Sequence, residues 1–332
     1  MRRVEVLLDR IEDRLENAPL GLHLAGQPTS WQAAEAAGLT ASYAALWTRW
    51  DGLDIAQGEA IVYPTESIDA ATRRAIGGGR AVEGDVVFGE RGSDALVLSH
   101  DPYEEGAEVI LASDDGERLP YGSTIPDLIL ALLAEASVLY DHEGEFRDDL
   151  YGEDGQMTAG ATRRLLRRHL DADPDAPLPR VELARALRHS GEFVASSAEL
   201  KRALRCAPQF SWAHFELGRT WRDLAQGARA RKAFVDAADV AGEEGLAAYF
   251  LAWAAMAEPT GREALAMRAR SLRPDFAQAQ LAAARAAAAQ GEDDKCAEHV
   301  ALGLAVSPKD LSLLAFARGG EGGHKRGTEG AG

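Results

Sequence analysis

Four prolines divide the second half of the chain at nearly even intervals. Pro174 and Pro208 stand 34 residues apart, as do Pro274 and Pro308, and the 66 residues between Pro208 and Pro274 leave room for two more units of similar length. Gly242 stands where the missing proline would fall. Proline cannot continue a helix, because it lacks an amide hydrogen and its ring clashes with the preceding turn. Spaced in this way, the prolines predict the end of one helix per unit. A unit of that size cannot bury its apolar face alone, so neighbouring units must stack.

The residues inside the units follow a shared pattern. The stretch SWAHFELGRTWRDLAQGARARKAFVDAAD from Ser211 sets Leu217-Gly218, Trp221, Leu224, Ala230, Phe234 and Ala237 at small and large packing positions. The preceding LPRVELARALRHSGEFVASSAELKRALRCAP offers Leu183-Ala184, Leu187, Gly191, Ala203 and Pro208, and the unit from Ala277 supplies Ala284, Gly291, Cys296 and Pro308. Between them, AEPTGREA shortens one turn by two residues. Period and pattern together resemble the tetratricopeptide repeat.

That resemblance implies four helix pairs over about residues 177–310, stacked as a solenoid whose concave face is lined by the first helix of each pair. Family register puts Arg185, Arg188, Trp212, Phe215, Arg219, Arg222, Tyr249 and Arg285 on that face. Guanidinium forks suit carboxylates, and exposed aromatics anchor a ligand at small entropic cost. An acidic peptide or C-terminus is the expected ligand of such a groove.

Charge separates the two halves. Residues 1–155 hold 11 arginines and no lysine against 31 acidic residues, a net charge of −20, whereas residues 156–332 carry +3 of the overall −17. A field of that sign repels nucleic acid and membrane phosphates and attracts basic partners.

The first half reads as a small α+β domain with a mostly antiparallel sheet. A charged amphipathic helix is expected near residues 3–17, and Thr40 is a plausible N-cap for a helix running to about Trp50. On that helix Tyr43, Leu46, Trp47 and Trp50 form one apolar stripe, so the tryptophan pair is expected in the core, with Asp51-Gly52 as the turn that follows. Strands are expected at Glu59–Tyr63, Asp85–Glu90, Asp94–Ser99 and Glu108–Ala112, with a helix at Ser67–Ile76. Thr124 with Asp127 opens the apolar helix PDLILALLAEASVLY.

The segments LTASYAALWTRWDGL, IVYPTESI, VVFGERGSDALVLS and EVILASDDGERLPYGSTIPDLILALLAEA, in this order over about residues 30–140, resemble the SUKH superfamily of immunity proteins and a fungal cell-wall-assembly regulator. The resemblance implies a protein-recognition domain at 1–155, and in its most specific form neutralisation of a basic, nuclease-like toxin. Asp101, Tyr103, Glu104, Glu105, Asp114 and Asp115, in two loops between expected strands, are the candidate contacts for such a partner. The repeats would occupy 156–317, and the Gly-rich residues 318–332 are expected to be disordered.

Catalytic signatures are absent from the sequence: it holds no HExxH, GxSxG, P-loop or CxxC. Cys206 and Cys296 lack partners at metal-binding spacing, the acidic runs lack EF-hand spacing, and isolated histidines such as His100 and His169 are expected to be structural or solvent-facing. No cofactor or metal is implied. The longest apolar run, LAAYFLAWAAMA, is too short for a membrane span, and the N-terminus lacks a continuous apolar signal segment. The expectation is a cytoplasmic, non-enzymatic protein that binds other proteins.

Overall fold

A computed structural model describes residues 2–102 and 106–323, which divide into two compact units, Met1–Phe210 and Ser211–Gly332. The first unit therefore runs past the expected boundary at residue 155 and includes the first helix pair of the repeats.

In that unit seven strands form one sheet in chain order, every neighbouring pair antiparallel: β1 His23–Ala25, β2 Leu53–Ile55, β3 Ala60–Val62, β4 Val86–Arg91, β5 Asp94–Leu98, β6 Val109–Ala112 and β7 Arg118–Gly122. The four expected strands correspond to β3 to β6. The sequence does not announce β1 and β2, which have three residues each and little room for alternation. In β7, RLPYG, Pro120 argues against a strand; β7 lies at the sheet edge, where proline removes no ladder bond on its free side.

Helix α1 (Arg2–Glu16) buries Leu7, Leu8 and Ile11. Its acidic edge meets Arg49, whose guanidinium lies 3.0 Å from Glu5, 2.8 Å from Asp9 and 3.1 Å from Glu12. After α2 (Trp31–Ala36), α3 (Ala41–Trp47) ends three residues before the expected Trp50. Trp47 is fully buried, donates its indole N–H to the Tyr63 carbonyl at 2.9 Å and meets Phe88 edge-on. Trp50 is only half-buried, beside the Arg49 guanidinium. Gly52 has φ +95°, and an added Cβ would press on the Val62 carbonyl and Pro64, so this turn needs glycine. Asp51 does more than break a helix: its carboxylate accepts the Thr65 N–H at 2.7 Å and so caps α4 (Thr65–Gly77).

Helix α5 (Ile125–Leu139) is apolar around its circumference, and all its residues but Ser137 are buried. The expected Thr124 cap is present, its hydroxyl accepting the Asp127 N–H at 3.2 Å. Helix α6 (Ala159–Ala172) packs on α5, followed by the pair α7 (Pro177–His189) and α8 (Phe193–Cys206).

The second unit holds the pairs α9 (Ser211–Asp223) with α10 (Gly227–Val240), α11 (Glu244–Ala257) with α12 (Arg262–Leu272), and α13 (Phe276–Ala289) with α14 (Asp293–Val306), then α15 (Leu311–Gly323). The four helix pairs thus fall where the proline spacing puts them. Helix α15 continues to Gly323, into the segment expected to lack structure; residues 324–332 lie outside the described residues. Phe234, Phe250, Trp253 and Phe276 centre the core of this unit. Gly218 lets α9 approach α10: an added Cβ would stand 2.5 Å from the Phe234 ring.

Candidate protein-interaction surfaces

On α9 and α11 the expected groove residues gather around one buried ring, Trp253. Arg222 sits over it at 4.5 Å from the centroid, and Arg219 lies 5.9 Å from both the Trp253 and Phe215 rings. Both guanidiniums are half-buried, and each has an acidic neighbour, Glu216 at 3.7 Å from Arg219 and Asp223 at 3.4 Å from Arg222. Trp212 packs edge-on against Phe215 and Phe250, and Tyr249 lies against Phe215. Burial raises the Tyr249 hydroxyl above the usual phenol range, so it stays protonated at neutral pH.

Phe215 departs from its expected place on the face. It is buried, stacked 4.9 Å from Phe250, because the second unit fills the space between helix pairs with aromatic rings. Arg285 is exposed on α13. Arg185 and Arg188 belong to α7 in the other unit, Arg185 half-buried and Arg188 buried.

The acidic-loop candidates scatter. Tyr103, Glu104 and Glu105 lie outside the described residues. Asp101 is half-buried, with its backbone N–H donated to the Ser99 hydroxyl. Asp114 pairs with Arg80 at 2.9 Å, and the Asp115 carboxylate accepts from the Ser113 hydroxyl and the Glu117 N–H, which holds its pKa below the usual carboxylate range.

Two features escaped the sequence reading. One is a buried polar triad: Glu135 on α5 lies 2.7 Å from Arg91 on β4 through one oxygen and 2.7 Å from His169 Nδ1 on α6 through the other. Burial alone would raise the Glu135 carboxyl, but Arg91 and His169 override it and hold the carboxyl below its ordinary range. The signal was a single carboxylate inside the otherwise apolar run LILALLAEASVL. His169 is buried within this triad, while His100 is exposed and lies 3.0 Å from buried Asp85. The second feature is the arginine face of α6, in the run RRLLRR. Among the described residues no group of three or more His, Cys, Asp or Glu side chains is placed to hold a metal ion, and no helix is long and apolar enough to cross a membrane.

No protein-family model matches the chain, nor does any curated protein. Among solved structures the chain is similar to YrrB, described as a TPR protein with an unusual peptide-binding site; the match covers 46% of this chain and 97% of that chain, at 13% identity and a TM-score of 0.24. At that score the helix-pair assignment rests on the helix boundaries and the proline period themselves.

Proposed function

We propose that the chain is a non-enzymatic scaffold whose second unit binds an acidic peptide segment or C-terminus on the α9/α11 face. The observation that carries this reading is the pair Arg219 and Arg222, held against the Trp253 ring. Stacking on a ring fixes a guanidinium plane while leaving its N–H edge for a carboxylate. A ligand carboxylate would compete with Glu216 and Asp223, which now keep the two charges partly satisfied. The SUKH resemblance, with the seven-stranded meander between α1 and α5, supports a second recognition domain in the same molecule. Among the described residues of the acidic loops no observation favours toxin neutralisation, since Asp114 and Asp115 are engaged within their own part of the fold. A peptide-display selection on the full chain tests the proposal. Acidic sequences retained by the native chain and lost on Arg219→Glu with Arg222→Glu support it; retention by both, or no enrichment of acidic sequences, rejects it.

A further inference from the structure

Helix α6 reads AGATRRLLRRHLDA, and its four arginines share one side. At about 100° per residue, Gly160, Arg163, Arg164, Arg167, Arg168 and Asp171 occupy one outward arc of about 140°. Ala161, Leu166 and His169, on the other side, are buried. Those six outward residues line a shallow hollow. Arg164, Arg167 and Arg168 are exposed, whereas Arg163 is paired with Glu192 at 2.7 Å.

A solvated helix flank ordinarily balances its charge signs, whereas this one sets four arginines against the single carboxylate of Asp171. Arg163 with Arg167 and Arg164 with Arg168 are like charges four residues apart, and Arg164 with Arg167 three apart, so each pair works against the helix. The first turn carries no acidic residue, and the helix start is capped only by the uncharged Thr158, whose hydroxyl accepts the Ala161 N–H at 3.3 Å, so no carboxylate offsets the positive end of the helix. Gly160 adds a third cost, because glycine within a helix is less stable than alanine. Nothing in the packing asks for it: an added Cβ would meet nothing within 4 Å, and Gly160 is not among the positive-φ glycines. An anion seated over Gly160 would relieve the first two costs and use the space that the third provides.

We propose that this face docks an extended Asp/Glu-rich segment of a protein partner, independently of the α9/α11 face. Arg164 and Arg168 are separated by about 6 Å along the helix axis. Same-side carboxylates of an extended chain recur at about 6.8 Å, close enough for successive forks to be filled. Single-stranded nucleic acid fits less well, because none of the six residues lining the hollow is an aromatic on which a base could stack.

The test is fluorescence anisotropy with a labelled, C-terminally amidated oligoglutamate peptide. It is run on the full chain carrying Arg219→Glu and Arg222→Glu, which silences the other face. The expected result is binding that weakens about tenfold on Arg164→Gln with Arg167→Gln and Arg168→Gln. Binding should also weaken on Gly160→Leu, which fills the hollow and keeps every arginine, with helix content unchanged in both variants. Absence of peptide binding overturns the proposal, as does undiminished binding by either variant. Tighter binding of single-stranded RNA than of the peptide would reassign the face to nucleic acid. Self-association that the glutamine variant loses would reassign it to a second copy, and either result overturns the proposal.

Discussion

The Arg222 guanidinium lies 4.5 Å from the centroid of the Trp253 ring, so a charge on α9 is set by an aromatic on α11. The contact sets a cation over the ring, worth about 0.5–1 kcal/mol at an exposed site, and lysine cannot reproduce the guanidinium fork. Arg222→Lys is therefore expected to weaken acidic-peptide binding about fivefold. The unfolding free energy should change by no more than about 0.5 kcal/mol, because lysine keeps a cation and an apolar stem against the Trp253 ring. Calorimetric titration alongside urea unfolding separates the two effects; equal losses in both would make Arg222 a packing residue.

Trp47 combines complete burial with a hydrogen bond from its indole N–H to Tyr63, across sixteen residues of chain. Trp47→Phe keeps a ring but leaves the Tyr63 carbonyl without that donor, and should cost the first unit about 1 kcal/mol or more. Trp47→Ala should cost about 3–5 kcal/mol by emptying the site as well. Denaturant unfolding followed by circular dichroism measures both. Near-neutral behaviour of the alanine variant would contradict the placement of Trp47 in the core.

Gly218 is where the repeat pattern makes its sharpest structural demand. Gly218→Ala would put a methyl group 2.5 Å from the Phe234 ring, which is fully buried and cannot swing aside. Overpacking of this kind costs about 1–3 kcal/mol, although alanine is the better helix former. Destabilisation of the second unit is expected in thermal unfolding; a stabilised variant would show that α9 and α10 are not in such close contact.

The Glu135 triad predicts an acid response of definite sign. Burial opposes the charged carboxylate, but Arg91 and His169 lower its folded-state pKa below the unfolded value, so its contribution is present above about pH 4.3 and is lost as pH falls. Asp85 acts in the same direction: burial would raise it, while the Val82 and His100 amides, the His100 ring and Arg118 lower it. Asp173 acts in the opposite direction, because burial raises it despite its hydrogen bonds from Ser123; its contribution is lost as pH rises. Glu135→Gln should be less stable than the native chain at neutral pH and lose less further stability on acidification below about pH 4.3. Thermal unfolding across that range checks this, and parallel curves would remove Glu135 from the acid response.

The repeats were legible because a proline can be placed in a helix pair by its chemistry alone, and Leu217-Gly218 reports a close helix approach directly. Depth was not legible in the same way. Phe215 has the register of a groove residue, yet the rings of Phe234, Phe250 and Trp253 enclose it, and these come from two other helices. In the first unit β4 and β5 were visible from their Val- and Leu-rich runs bounded by turn residues, while β7 was hidden by Pro120, whose tolerance depends on being at an edge. The α6 arginines were overlooked because their half of the chain is nearly neutral in sum, which conceals a local cluster, and because the repeat register starts after them.

The most direct test of the scaffold reading is the affinity of a display-selected acidic peptide for the native chain and for the Arg219→Gln with Arg222→Gln variant, with far-UV circular dichroism as the control for folding. Losing two charge-assisted hydrogen-bonding partners should weaken binding about 100-fold or more while helix content stays the same. Equal affinity in the two proteins would contradict the assignment of the α9/α11 face as the binding site.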